Sequence, residues 1–253
     1  MSVVFTIGAD PEMLISKHGK HLSAVGLIGG SKDQPRPLAR EGFAILEDNV
    51  AVEFNIAPCH NHIEFIEAIQ YVMDGLKKNV LAEYDISQES AVVFDQDQLT
   101  HPQAQEFGCE PDYNAWTKDI NPRPCAANAA LRSAGGHVHV GTTENPIEVI
   151  RAMDLFLGVP STVMDKGTLR RQLYGKAGSF RQKPYGCEYR TLSNFWIFNP
   201  DLIKWVYDQT EKAISFVNSG KTLSDEDGHL IQECINNNSG EAYEYLSKTH
   251  GLG

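Results

Sequence analysis

The segment Gly135-Gly136-His137-Val138-His139-Val140-Gly141 constrains the fold of this chain more than any other. In an extended strand successive side chains point to opposite faces. His137 and His139 therefore project together while Val138 and Val140 pack behind them. The same alternation places Asp10 and Glu12 on one face of residues 3–13, Glu53 and Asn55 on one face of residues 49–57, and Glu188 and Arg190 on one face of residues 187–192. Four extended segments that turn acids, imidazoles or a guanidinium to one side can build a single metal-and-phosphate site. Their other sides carry the apolar residues that a core needs.

The 253 residues suffice for one large domain or two small ones. A single domain is expected over 1–253, with a core at about 3–220 and a helical C-terminal extension at about 221–253. The formal charge of −11 argues against a nucleic-acid partner, which needs a clustered cationic footprint. Against that acidic background Arg170, Arg171, Lys176, Arg181, Lys183 and Arg190 fall within 21 residues. Such clustering suits a pocket for a small anion, although a solvated basic helix face would read the same way. Five cysteines, Cys59, Cys109, Cys125, Cys187 and Cys234, contain no C-x-x-C pair and are odd in number. Reduced thiols are the simple expectation. No apolar run approaches the ~20 residues that span a bilayer, and the first residues lack the layout of a signal peptide. A cytoplasmic protein with no membrane partner is expected.

Phe5, Ile7, Ala9 and Met13 line the apolar side of the first strand, which must be an edge or bulge at Pro11. Gly26–Pro37, rich in glycine and proline, reads as a structured loop. Val50, Val52, Phe54 and Ile56 mark a second strand ended by Pro58. Asn61 and Glu64 form a capping-box pattern, followed by apolar residues at helical spacing to about Tyr84. Residues 91–94 read as a strand and 95–134 as mostly irregular chain. Asn145-Pro146 and Asn199-Pro200 each start a helix, ending near Leu157 and Gly220. Two acidic helices, at about 224–236 and 239–249, complete the chain. Strands grouped between helices and long loops, without regular alternation, favour an α+β fold with a largely antiparallel sheet.

Each polar group has more than one reading. Asp10 and Glu12 repel each other unless a cation intervenes, yet they also fit the solvent face of an edge strand. Glu53 sits among Ala51, Val52 and Phe54, and if buried it must be paired or metal-bound. His137 and His139 fit either hydrogen-bonded structural histidines or a ligand beside a nucleotide contact, with Gly135 and Gly136 allowing close approach. The excess of carboxylates favours magnesium or manganese over zinc. Residues 174–190 alternate cations with glycines, as a clamp for a transferring phosphoryl group would. They contain no Walker A spacing. Gly26–Lys32 is a second candidate phosphate- or substrate-facing turn.

Taken in order, these motifs resemble a known family. They are Gly-Ala-Asp10-Pro-Glu12, Gly26-Leu-Ile-Gly-Gly-Ser-Lys32, Asp48-Asn-Val-Ala-Val-Glu53-Phe-Asn55, residues 108–116, Gly-Gly-His137-Val-His139, and Tyr174-Gly-Lys176-Ala-Gly-x-Phe-Arg181-x-Lys183-x-Tyr-Gly-x-Glu188-Tyr-Arg190. The pattern, over roughly 5–200, resembles the phage-type carboxylate–amine (COOH·NH2) ligases, type 2, of the glutamine synthetase and glutamate–cysteine ligase superfamily. The resemblance implies a glutamine synthetase catalytic-domain-like fold, a curved partial barrel with helices on its outer face. It implies ATP and Mg2+ (or Mn2+), with Asp10, Glu12, Glu53, His137 and Glu188 as metal ligands. His139, Lys183, Arg181, Arg190 and Lys176 would contact the nucleotide, and Arg181, Arg190 and Glu53 would be catalytic. Asp10 departs from the superfamily's Glu-x-Glu pattern. A further metal-binding acid has no clear equivalent, and Glu110 or Asp112 could substitute for it.

The implied reaction is amide formation between a small-molecule, peptide or protein carboxylate and an amine, through an acyl phosphate. A phage-encoded chain would act in the host cytoplasm. The superfamily includes ring assemblies and smaller oligomers, so a homo-oligomer is one expectation. Three other readings stay open: a phosphagen-kinase-like phosphotransferase on the same fold, a metal-dependent hydrolase, and a binding protein on a degenerate scaffold. Intact polar faces on all four strands argue against the last.

Overall fold

The computed structural model describes residues 4–105, 112–122, 128–165 and 167–252. In chain order the first half contains β1 (Thr6–Ala9), β2 (Glu12–Lys17), β3 (Lys20–Leu22), β4 (Arg36–Pro37), β5 (Ala44–Asp48), β6 (Ala51–Asn55), α1 (His62–Gly75), β7 (Asp85–Ser87), β8 (Ala91–Val93), α2 (Pro102–Gln105), β9 (Tyr113–Asn114) and β10 (Leu131–Ser133). The second half contains β11 (Val138–Gly141), α3 (Pro146–Met153), α4 (Val159–Met164), α5 (Thr168–Leu173), β12 (Ser179–Lys183), β13 (Gly186–Tyr189), α6 (Pro200–Asn218), α7 (Asp225–Asn237) and α8 (Gly240–His250).

The strands form a five-stranded sheet in the order β1-β11-β13-β12-β9 and a six-stranded sheet in the order β3-β2-β6-β5-β4, with β7 also paired to β2. β8 and β10 make a separate two-stranded ribbon. Every strand pairing among the described residues is antiparallel. The fold is therefore α+β, as expected, but the sheets do not close into a barrel.

The expected first strand is two strands. β1 ends at Ala9 as the edge of one sheet, and β2 begins at Glu12 in the other. Pro11 has no N–H to donate, so an uninterrupted ladder cannot run through it. Its carbonyl still accepts from Phe54 N, that of Ala9 accepts from Ile56 N, and Glu12 N donates to Gly135 O at 2.8 Å. This crossing segment stitches the two sheets together, and it carries Asp10 and Glu12.

Alternation sorts the five-stranded sheet into two faces. Ile7, Ala9, Val138, Val140, Phe180, Cys187 and Tyr189 are buried on one of them. α3 packs against β12 and β13, and α6 packs on α1 and α3. The cap residues work as their sequence predicts. Asn61, Asn145 and Asn199 each accept a hydrogen bond from a first-turn N–H of the helix that follows. Glu64 returns its carboxylate to His60 N rather than to Asn61 N.

Helix ends differ from expectation at two places. α1 stops at Gly75 and passes into a π turn at Leu76–Val80. The helix expected to end near Leu157 instead continues to Met164 through a π turn at Asp154–Gly158, where Val159 N reaches back to Asp154 O. The widened turn precedes Pro160, whose ring and missing N–H would interrupt a regular helix. The C-terminal helices pack onto the body: Ile231, Cys234, Ile235 and Leu246 join a buried cluster with Leu155, Val159 and Ala177.

Cys59, Cys187 and Cys234 are buried and unpaired, whereas Cys109 and Cys125 lie outside the described residues. No helix among the described residues is long and apolar enough to cross a membrane.

Candidate functional site

Register builds the site on the other face of the five-stranded sheet. Gly8, His139, Glu188 and Arg181 align across β1, β11, β13 and β12. Two residues along each strand, Asp10, His137 and Arg190 continue the same face. Asp10 Oδ1 lies 3.0 Å from His139 Nε2 and 3.4 Å from His137 Nδ1. His137 Nδ1 lies 3.9 Å from Glu188 Oε1. Asp10, His137 and Glu188 thus bring three ligand atoms within 4.8 Å of one another.

Glu188 is fully buried and surrounded by cations. Lys183 Nζ stands 2.8 Å from Oε2, Arg181 Nη1 stands 3.7 Å from Oε1, and Arg190 Nη1 donates to Oε1. Burial and Asp10 oppose its ionisation, but Arg190, His137 and His139 hold the carboxyl down at about 2. Burial also disfavours the charged form of Asp10, yet His139 and His137 keep it well below the usual carboxylate range.

A second acidic group lies where the sheets meet. Glu12 pairs with Glu53 in the β2–β6 register. Asp48 sits diagonally across the β5–β6 hairpin from Glu53, because Leu46 is opposite Glu53 and Asp48 is opposite Ala51. Glu12, Asp48 and Glu53 bring carboxylate oxygens within 4.8 Å of one another. Burial, followed by Asp10, Glu12 and Asp48, pushes the Glu53 carboxyl well above its ordinary value, and Lys32 acts the other way. Lys32 Nζ is 2.9 Å from Asp48 Oδ1. Glu12 Oε2 accepts from Gly135 N at 2.7 Å.

One cleft takes in Glu12 and Asp48 of the second group and His137 of the first, while Asp10, Glu53, His139, Arg181, Lys183 and Glu188 lie outside its lining. Its walls include Glu12, Lys32, Asp48, Asp112, His137, Arg170 and Arg190. Arg170 is buried and donates to the carbonyls of Thr191 and Arg190, at 2.9 and 3.2 Å. Burial pulls its guanidinium down to about 10, while Glu12 across the cleft favours its charge. Asp112 Oδ2 lies 3.7 Å from Arg190 Nε, and Glu110 lies outside the described residues.

Glycines hold the histidine strand in place. Gly136 donates to Leu192 O, and its carbonyl accepts from Trp196 Nε1. A Cβ on Gly136 would stand 2.2 Å from Ser193 O and 2.5 Å from Trp196 Nε1, and Trp196 is itself fully buried. Gly136→Ala should therefore destabilise the protein by roughly 1–3 kcal/mol, the usual range for overpacking. Denaturant titration checks this, and an unchanged midpoint would refute the close packing.

Strand alternation anticipated which polar side chains share a face, but four features differ. Lys176 is exposed and is not part of the cleft wall; its carbonyl accepts from Thr191 Oγ1. Arg171 is buried in an ion pair with Asp165 at 3.4 Å and does not line the cleft. The glycine loop Gly26–Lys32 does not offer its amides to a phosphate at its base. Gly26, Ile28 and Gly29 donate instead to Glu47 at 2.8–3.0 Å. Asp48 was not anticipated, because Phe43–Glu47 lacks alternation and conceals β5. Its signal is Asn49, which turns the hairpin at φ 55° and thereby sets Asp48 diagonal to Glu53.

Behind the sheet, Asp154 is fully buried and holds the strands by accepting four hydrogen bonds. Its donors are Trp116 Nε1 (2.7 Å), Gly178 N (2.6 Å), Tyr189 Oη (2.8 Å) and Thr191 Oγ1 (3.2 Å). Burial pushes this carboxyl up to about 6.

An antiparallel α+β scaffold with two neighbouring carboxylate groups, beside a cleft that Arg170 and Arg190 also line, makes a candidate site for cations and anions. Residues 119–217, less than half of the chain, match a family model described as "Phage phiEco32-like COOH.NH2 ligase-type 2". The matched segment carries His137, His139, Arg170, Arg181, Lys183, Glu188 and Arg190. Asp10, Glu12, Asp48 and Glu53 precede it. No curated protein matches the sequence.

Proposed function

We propose that this protein is an ATP- and divalent-cation-dependent ligase that joins a carboxylate to an amine. One observation carries the reading: Glu12 and Asp48 line a cleft with Arg170 and Arg190, next to the Asp10–His137–Glu188 group, and the Glu12–Asp48–Glu53 group has a single cation at ion-pair range among the described residues. The name of the family matched at 119–217 supports the type of bond formed.

The donor sets fit magnesium or manganese. Glu12, Asp48 and Glu53 offer only hard oxygens, and Asp10, Glu188 and His137 add one imidazole. Bound there, such an ion would supply positive charge beside the phosphates of ATP. Lys183, Arg181 and Arg190 would neutralise the transferring phosphoryl group, and their approach to buried Glu188 pre-orients them. His139, held between Asp10 and the Tyr185 hydroxyl, would face the nucleotide. A carboxylate oxygen of the first substrate attacks the γ-phosphorus and ADP departs. The amine of the second substrate then attacks the acyl carbon and phosphate departs. The protein contributes orientation and fixed charge to both steps. The substrates are small-molecule, peptide or protein carboxylates and amines.

The test is ADP release in the presence of magnesium and pooled amino acids and amines, with mass spectrometry for the amide. At least one carboxylate–amine pair should stimulate turnover. Glu53→Ala should reduce that turnover by about 100-fold or more, as for loss of a group that holds transition-state charge. If no pair stimulates ADP release, the ligase reading fails.

A further inference from the structure

The two acidic groups differ in how the chain itself compensates them. Around Asp10, His137 and Glu188 stand Lys183, Arg181, Arg190 and the two histidines, all at ion-pair range. Around Glu12, Asp48 and Glu53, the cation at ion-pair range among the described residues is Lys32, on Asp48. Three carboxylates within 4.8 Å therefore have one ammonium at ion-pair range, with Arg170 acting on Glu12 only from across the cleft, so part of their mutual repulsion goes unanswered.

Lys32 also sits on an unusual support. The base of its loop is pinned: Glu47 accepts from three of its amides, and Arg36 Nη1 donates to Ile28 O at 2.7 Å. Gly30, at φ +86°, lies so close to Arg36 N and Ile45 O that a Cβ would stand 2.7 Å from each. From this anchored base Lys32 reaches over the cleft wall with its side chain half exposed. The stem is fixed, and the ammonium, on four rotatable bonds, is free to change partners.

We infer that Lys32 is a nucleotide-phosphate ligand parked on the acidic group, and that a divalent cation displaces it. A cation that enters between Glu12, Asp48 and Glu53 brings two charges where the ammonium brings one, and it contacts all three carboxylates. Once they are neutralised, the Lys32–Asp48 ion pair loses its attraction. The cleft's new anion is then the polyphosphate, and Lys32 stands at its mouth. Exchange of partners by one side chain couples cation binding to nucleotide binding, with no movement of the loop base. The inference rests on the ligase reading for the identity of the anion.

Two binding measurements on the intact protein test it. The first is the affinity of Mn2+ alone, by calorimetry or electron paramagnetic resonance at low ionic strength, for wild type, Lys32→Met and Lys32→Arg. Lys32→Met should bind Mn2+ roughly fivefold more tightly than wild type, the scale of one partly exposed ion pair removed from competition. Lys32→Arg should stay near wild type. The second is the affinity of a non-hydrolysable ATP analogue at saturating Mg2+, where Lys32→Met should bind several-fold more weakly and Lys32→Arg nearly as wild type.

Equal or weaker Mn2+ binding by Lys32→Met overturns the parking of Lys32, and unchanged nucleotide affinity overturns its role as a phosphate ligand. In either case a wild-type protein that binds cation and nucleotide keeps the ligase reading intact. If a folded wild type binds neither Mn2+ nor the analogue, the ligase reading itself fails, and the inference with it.

Discussion

Glu188→Gln is expected to lower stability by roughly 3 kcal/mol, because breaking a buried ion network leaves its cations uncompensated. The carboxylate is fully buried, and Lys183, Arg181 and Arg190 all converge on it. Glutamine keeps the volume and one acceptor but removes the charge that balances three cations. The pH dependence follows from the same contacts. The folded-state carboxyl sits at about 2, below its ordinary 4.5. Its stabilising contribution is therefore present above pH 4.5 and is lost as pH falls toward 2. Wild type should lose stability across that interval more steeply than Glu188→Gln. Thermal melts at neutral pH and at pH 3 measure both effects. A variant as stable as wild type at neutral pH would refute the network. Turnover, where present, should fall by about 100-fold or more, because Arg190 and Lys183 lose their orienting partner.

Glu53→Gln is expected to do the opposite to stability. Burial and three nearby carboxylates push the Glu53 carboxyl upward, so its ionised form is a liability in the cation-free protein. Removing that charge should raise stability by about 1 kcal/mol or more, which for a chain of this size corresponds to roughly 2–4 °C per kcal/mol. The sign with pH is reversed relative to Glu188. The folded value lies above the ordinary 4.5, so wild type loses stability as pH rises from about that value. The variant should show less of this decline. Magnesium should stabilise wild type by mass action and stabilise Glu53→Gln much less. Melts in chelator and in magnesium distinguish the cases. Destabilisation in chelator, or equal gains from magnesium, would refute the account of the Glu12–Asp48–Glu53 group. Two glutamates on strands of different sheets are thus expected to respond with opposite signs to the same substitution, because one faces three cations and the other faces three acids.

Much of the site was legible before any fold. Alternation in 137–141 and 187–190 put His137, His139, Glu188 and Arg190 on one face; β11 and β13 pair His139 with Glu188 there, and His137 and Arg190 follow one residue beyond the strand ends. The polar residue within 51–55 marked Glu53, which does lie in the acidic group. Asparagine caps at 61, 145 and 199 marked helix starts, because a cap bond joins residues two or three apart and needs no tertiary partner. Other features were hidden because they depend on distant chain. Pro11 forced a break, but only the partners of β1 and β2 show that the chain changes sheets there. Arg170, Arg171 and Lys176 look alike in sequence; one lines the cleft, one pairs with Asp165 and one faces outward.

By itself, then, the sequence determined which side chains share a strand face and where helices begin, since both follow from backbone periodicity over a few residues. The tertiary structure alone decided which charges lie within a few ångströms of each other. Strand register and the sheet crossing at Ala9–Glu12 set those distances, so Glu188 acquires cations, Glu53 acquires acids, and Asp48 enters a group that its own neighbours in sequence do not reveal.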